Sequence, residues 1–209
     1  NNLDLAIKNY IQINNNNSKH WRSRFNLYLI YIKQKKYKQA LIIVNEVLGI
    51  KNKYQPALRD KALILYYLNK PDESLRFIVD SINQNPSDYI AINTLGLCYL
   101  AMKQYDEAKK IFKKGIKINP KYSPSYNNLG RCYSLTYDRK TADSYYKKAL
   151  AIDPSFFEAI NNLANNYSET GSYEMAIEYY YKALKITPRK PEVLYNIGVA
   201  YVYLNKFNK

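Results

Sequence analysis

Apolar residues recur along the chain at helical spacing, in short runs separated by polar breaks. From Tyr89 onward, Ile92, Leu95, Gly96 and Tyr99 stand at i, i+3, i+4 and i+7, one face of a helix. A break follows at Lys103–Tyr105. Ala108, Ile111, Phe112, Gly115 and Ile116 then repeat the spacing, which predicts a second helix. Asn119-Pro120 closes the pair, because the residue before a proline is driven out of the α region. Ser123-Pro124 is predicted to open the next helix, with serine as N-cap and proline at the first helical position.

The pair is one member of a series with a period of 34 residues. Pro86, Pro120, Pro154 and Pro188 mark it, and so do Ala40, Ala108, Ala142 and Ala176, a column completed by Ser74 and Ala6. Gly96, Gly130, Ala164 and Gly198 form a second small-residue column, preceded by Ala62 and Tyr28. Val44, Ile78, Phe112, Tyr146 and Tyr180 form a large one. No insertion breaks the phase from Leu5 to Phe207. The small columns are expected to let the two helices of a pair approach closely. One pair cannot bury both of its apolar faces, so pairs must stack to make a continuous core.

The phase predicts a single array over residues 1–209. Residues 1–20 are the second helix of a partial repeat; 21–54, 55–88, 89–122, 123–156 and 157–190 are five full repeats; 191–209 hold the first helix of a truncated repeat. An unpartnered helix at each end, with Leu194, Ile197, Tyr201 and Leu204 lacking their complement, suggests a piece of a longer array. Neighbouring repeats or subunits are then expected at both ends.

The sequence Leu95-Gly96-x-x-Tyr99, then Ala108-x-x-x-Phe112, then Pro120, within 34 residues, resembles the motif of the tetratricopeptide repeat family. The resemblance implies an all-α fold, a right-handed α-solenoid of helix–turn–helix repeats whose first helices line a concave groove. The tryptophan usual early in the unit is replaced by Ile92, Tyr126, Ile160 and Leu194; Lys61 and Asn52 also depart from the pattern.

Carried over by position, the family's groove places Asn93, Asn127, Asn128, Arg131, Asn161, Asn162, Asn165, Tyr195 and Asn196 as the peptide- or partner-binding residues. An asparagine amide offers two donors and an acceptor oxygen, so it pairs with both the N–H and C=O of an extended peptide. This run is similar to the asparagine ladder in the repeat arms of O-linked N-acetylglucosamine transferases. The N-terminal half of the groove, with Phe25, Leu29 and Leu63, is more apolar. Tyr66, Tyr67 and Tyr203 are further candidate anchors beside Tyr195. The two-carboxylate clamp of chaperone-binding repeat domains is not completed: Asn165 and Asn196 match its two asparagines, but Asn161 stands where its first lysine belongs.

Composition narrows the chemistry. One histidine, two cysteines and six glycines leave no material for a histidine-rich or cysteine-rich metal site or a glycine-rich phosphate loop. No catalytic residue, metal or cofactor is expected. Lys+Arg exceed Asp+Glu by 32 to 17, a net charge of +15. The lysines crowd the second helices and turns, as at Lys109, Lys110, Lys113, Lys114 and Lys117, with acids such as Asp106 and Glu107 between them. That pattern reads as a solvated outer face; an acidic protein partner ranks ahead of nucleic acid. Cys98 and Cys132 are equivalent positions one repeat apart and are expected to be reduced thiols packed between repeats. The apolar runs at Leu27–Ile32 and Ala62–Leu68 fall far short of the roughly 18–20 residues that span a bilayer. With no secretory leader recognised, an intracellular, cytoplasmic setting is expected. His20 and Trp21 are expected to cap or pack, and Asn14–Asn17 to form a polar loop. The expected function is a scaffold that binds a peptide segment or partner protein within a larger assembly. The alternatives are the substrate-recruiting arm of a glycosyltransferase-like enzyme and, more weakly, a nucleic-acid-associated factor.

Overall fold

The computed structural model describes residues 2–207, with side chains as far as Asn205. Asn1, Asn208 and Lys209, which the predicted end segments include, lie outside the described residues. Twelve α-helices and no strand are found among the described residues. They group into two compact units, Asn1–Gln104 and Tyr105–Lys209. The first holds α1 (Asn2–Asn16), α2 (Trp21–Lys33), α3 (Tyr37–Ile50), α4 (Gln55–Tyr67), α5 (Pro71–Gln84) and α6 (Tyr89–Ala101). The second holds α7 (Tyr105–Ile118), α8 (Ser123–Leu135), α9 (Arg139–Ile152), α10 (Phe157–Glu169), α11 (Tyr173–Ile186) and α12 (Pro191–Phe207).

Within each unit, helices joined by short turns pack as pairs, and each pair stacks on the next. The repeating columns supply the core. In the first unit Tyr28, Ala40, Val44, Val47, Ala57 and Ile64 form one fully buried cluster. In the second, Ala142, Tyr146 and Leu163 form one cluster, and Ala164, Ala176 and Tyr180 belong to the next. Gly130 shows why a small residue is needed: a Cβ there would lie 2.7 Å from the ring of buried Tyr146 and 3.2 Å from the Ala142 carbonyl oxygen. Gly198, in the same column, departs from that expectation, since a Cβ there meets nothing within 4 Å.

The turns inside the pairs repeat as faithfully as the core. Lys35, Asn69, Lys103, Tyr137 and Gly171, again 34 apart, all sit at positive φ, between 58° and 79°. At each, two hydrogen bonds close a Schellman turn, as in Lys103 N–H to Leu100 O (3.1 Å) and Gln104 N–H to Tyr99 O (2.9 Å). Only the last of the five is glycine, the residue with no Cβ penalty in that region.

The turns between pairs come in two forms, and one side chain selects between them. Where Asn85, Asn119 or Asp153 opens the turn, its carbonyl or carboxylate oxygen accepts the N–H of the residue two positions on, at 3.0–3.3 Å. Lys51 and Thr187 stand at the equivalent positions and cannot make that Asx turn. There the third residue, Lys53 or Arg189, moves to positive φ instead.

Two local expectations need correction. Helix α8 begins one residue early, with Tyr122 as N-cap, so Ser123 is inside the helix and buried. Helix α1 runs on to Asn16, so only the end of the Asn14–Asn17 stretch lies in the loop. Asn14 instead bonds Ser23 and Arg24 of α2. Tyr67 and Tyr203 remain exposed, and each also stacks on a tyrosine of the preceding helix: Tyr67 on Tyr37 of α3 at 4.6 Å and Tyr203 on Tyr173 of α11 at 5.5 Å. His20 does cap α2, its Nδ1 accepting the Ser23 N–H, while Trp21 packs edge-on to Tyr54. Cys98 and Cys132 are free and fully buried. Burial pushes the Cys132 thiol up to about 12 and the Cys98 thiol in the same direction.

A polar link ties the successive first helices α2, α4 and α6 of the first unit. Asp60 on α4 accepts the Tyr28 hydroxyl at 3.1 Å and the Arg59 guanidinium at 2.9 Å. Arg59 also reaches Asp88 at 3.3 Å, and Gln55 donates to the same Asp88 oxygen at 2.9 Å. Burial pushes the Asp60 carboxyl above its usual range, more than Arg59 and Tyr28 pull it back. Asp88 is also raised by burial, but it caps α6, and the Ala91 N–H, Gln55 and Arg59 outweigh that and hold it below its usual range.

Candidate functional site

In the second unit the first helices α8, α10 and α12 lie side by side, and asparagines link them. Asn162 of α10 donates to Asn127 Oδ1 of α8 at 2.9 Å, and Asn127 in turn donates to Asn128 at 3.4 Å. Arg131 donates to the same Asn128 oxygen at 3.4 Å. One turn along α10, Asn165 Oδ1 accepts two bonds, from the Tyr180 hydroxyl at 2.7 Å and from Asn196 of α12 at 3.2 Å. Burial pushes Tyr180 up to about 12, so its hydroxyl keeps the proton that it donates. The 3.6-residue period puts Asn161, Asn162 and Asn165 toward one side of α10, which is why a single helix serves both links.

The predicted site residues separate by burial. Asn93, Asn127 and Asn128 are buried, and Asn93 lies on α6 of the first unit. Arg131, Asn161, Asn162, Asn165 and Asn196 are half-buried, and Tyr195 is 72% exposed. Asn161 Oδ1 is enclosed and has no hydrogen-bond partner among the described residues. The half-buried asparagines keep one amide group in reserve. Asn162 and Asn196 each spend an N–H, and Asn165 spends its oxygen. No bond to the oxygens of Asn162 and Asn196, or from the N–H2 of Asn165, forms among the described residues. The site therefore offers acceptors and a donor in alternation.

Sequence reasoning missed the floor of this site. A polar cavity of about 280 Å³ opens beside Asn165 and Asn196, lined also by Ser168, Glu169, Tyr180 and Val199. Glu169 is held by Arg139 at 2.5 Å, and Arg139 also donates to Ser134. Tyr180 belongs to the large-residue column and reads as core; its hydroxyl, one bond longer than the Phe112 ring in the same column, was the available signal.

Three family models match successive parts of the chain. The family model described as the N-terminal TPR repeats region of Psidin matches residues 24–147. A TPR repeat model matches residues 164–204, and a tetratricopeptide repeat model matches 145–178. The chain belongs to the tetratricopeptide repeat family. No curated protein matches it in sequence.

Among solved structures, a thermophilic TPR protein of Thermus thermophilus, TTC0263, aligns with a TM-score of 0.80 at 21% identity, over 87% of this chain and 99% of that one. A tetratricopeptide repeat protein from Parabacteroides merdae aligns at 0.85 and 16% identity, over 96% and 78%. A chain of the APC/C hetero-tetramer Cut9-Hcn1 aligns at 0.83 and 14% identity, over 96% of this chain but only 40% of its own length. At these identities the likeness is one of fold. That fold is consistent with a protein-interaction scaffold. Among the described residues no helix is long and apolar enough to cross a membrane.

Proposed function

We propose that the chain is a protein-interaction scaffold, part of a larger protein or assembly, and that it binds an extended peptide segment across α8, α10 and α12. The observation that carries this reading is the reserve of amide groups on Asn162, Asn165 and Asn196. Each is pinned to a neighbouring helix, Asn162 and Asn196 by one bond and Asn165 by two, which lowers the entropy lost when it engages a ligand. Each still has the group that pairs with a peptide N–H or C=O. Arg131 and exposed Tyr195 stand at the rim, where they contact side chains of the bound segment. In this reading residues 21–190 act as five full repeats.

The test uses peptides selected on the chain from a random display library. Replacing Asn162, Asn165 and Asn196 together with alanine is expected to weaken the selected peptides by about tenfold or more, at about 1 kcal/mol per lost hydrogen bond. Asn127→Ala and Tyr180→Phe remove the internal partners but leave the outward groups in place, and are expected to change affinity by less than about threefold. Equal affinity for the triple variant and the parent chain would overturn the proposal.

A further inference from the structure

The second unit carries 17 Lys+Arg against 10 Asp+Glu, and its lysines differ in whether a carboxylate pairs them. Lys109, Lys110, Lys147 and Lys182 each sit within 4 Å of a carboxylate one helical turn away. Lys113, Lys117 and Lys148 form no ion pair among the described residues. All three are exposed, and all three line one cleft of about 530 Å³ between α7, α8 and α9. Its walls are otherwise apolar: Ile116 and Pro120 on one side, Tyr126 and Leu129 at the back, Tyr145 and Ile152 on the other. A second cleft of about 500 Å³ shares Lys148 and Ala151 with it and adds Lys140 and Lys147. Three cations without an ion pair thus surround a hole of the size that holds one bulky side chain and its neighbours.

From this we infer a second docking site, on the side of the unit formed by α7 and α9, for an acidic peptide segment of another protein. One large apolar side chain of the segment fills the cleft, and Asp or Glu residues on either side meet Lys113, Lys117 and Lys148. Charge complementarity selects the sign of the partner, and the apolar hole selects the anchor. Nucleic acid fits less well. Its bases need open aromatic faces on which to stack, and here Tyr145 is already stacked on Tyr133, with ring centroids 5.4 Å apart and planes 5° apart. The Lys148 ammonium lies 4.9 Å from the Tyr145 centroid as well. The remaining walls are mostly aliphatic. This site shares no residue with the asparagine face and stands or falls separately from it.

Three short synthetic peptides test the assignment on the whole chain at physiological salt: a phenylalanine flanked by glutamates, the same peptide with the phenylalanine replaced by serine, and the same peptide with glutamines for glutamates. Fluorescence anisotropy is expected to show the first binding about tenfold or more tightly than either control. The variant carrying Lys113→Glu, Lys117→Glu and Lys148→Glu is expected to lose that binding while keeping its helical circular dichroism, and the Asn162, Asn165, Asn196 alanine variant to retain it. Failure of the first peptide to bind, equal binding of the serine control, or binding unchanged by the lysine variant would each overturn the inference. So would polyuridylate that binds more tightly than the peptide and is lost with the same three lysines, which would assign the surface to nucleic acid.

Discussion

The two units use the same repeat positions for different ends. In the first, Arg59 and Asp60 occupy two adjacent columns of the first helix and are consumed there, with Asp88, Gln55 and Tyr28, in holding α2, α4 and α6 together. In the second, Asn127 and Asn162 occupy the same two columns and make one amide bond between helices. A buried ion pair must satisfy all its lone pairs and protons internally, because an uncompensated charge is costly. An amide link costs less, and at a half-buried position it leaves a group over. Cohesion by charge consumes its polar groups; cohesion by amide leaves one over at each half-buried position.

Breaking each link measures the difference. Asp60→Ala strands the Arg59 guanidinium and the Tyr28 hydroxyl, and is expected to destabilise the first unit by about 3 kcal/mol. Asn127→Ala, which removes a neutral hydrogen bond, is expected to cost the second unit about 1 kcal/mol. Urea unfolding with hydrogen exchange read separately on α4 and α10 assigns each loss to its unit, and Trp21, the single tryptophan, reports the first unit by fluorescence. Equal losses would erase the contrast.

Within the second unit the glycine column gives a sharper pair. Gly130→Ala forces a methyl against the Tyr146 ring and the Ala142 carbonyl, and is expected to cost about 2 kcal/mol despite its better helix propensity. Gly198→Ala meets open space and is expected to stabilise by about 0.5–1 kcal/mol. Thermal melts of the two single variants check the opposite signs.

Turns allow the same comparison across units. Gly171→Ala is expected to destabilise, and Lys103→Gly and Tyr137→Gly to stabilise, by about 1 kcal/mol each, because all three positions share the left-handed turn. The smallest effect separates charge from amide by pH. Asp88 is held below its usual range in the folded state. Its contribution is therefore complete above the unfolded value near 3.8 and is lost as pH falls from there through the folded value. Stability of α6 is expected to decline over that window, and Asp88→Asn to flatten the decline in hydrogen exchange.

Most of the architecture was legible because the period is uninterrupted and each column has one physical task. Ala108, Phe112 and Gly130 could be assigned to the core from spacing alone, and the structure buries all three. The site was legible only by column. Spacing placed Asn127, Asn162 and Asn165 on first helices, but not which amide group each would spend, since that depends on partners 15, 31 and 35 residues away in sequence. The same limit hid the cleft between α7 and α9: the lysine run reads as a solvated face until the pairing of each lysine is known. The stacking of Tyr67 and Tyr203 was hidden for a related reason, since each partner lies on the preceding helix, Tyr37 on α3 and Tyr173 on α11. The start of α8 slipped by one residue because the N-cap falls three residues after the turn opens, at Tyr122 as at Tyr54, Asp88 and Phe156, whichever side chain follows it.

The central claim is that the amides held in reserve on α10 and α12 are the ones that meet a peptide. Side-chain amide resonances of a chain labelled with nitrogen-15 at asparagine test it directly during titration with a display-selected peptide. The account predicts that the N–H2 signals of Asn162, Asn165 and Asn196 shift in a saturable way, while that of Asn93, buried in the first unit, stays in place. Saturable binding that leaves those three signals unmoved would contradict it.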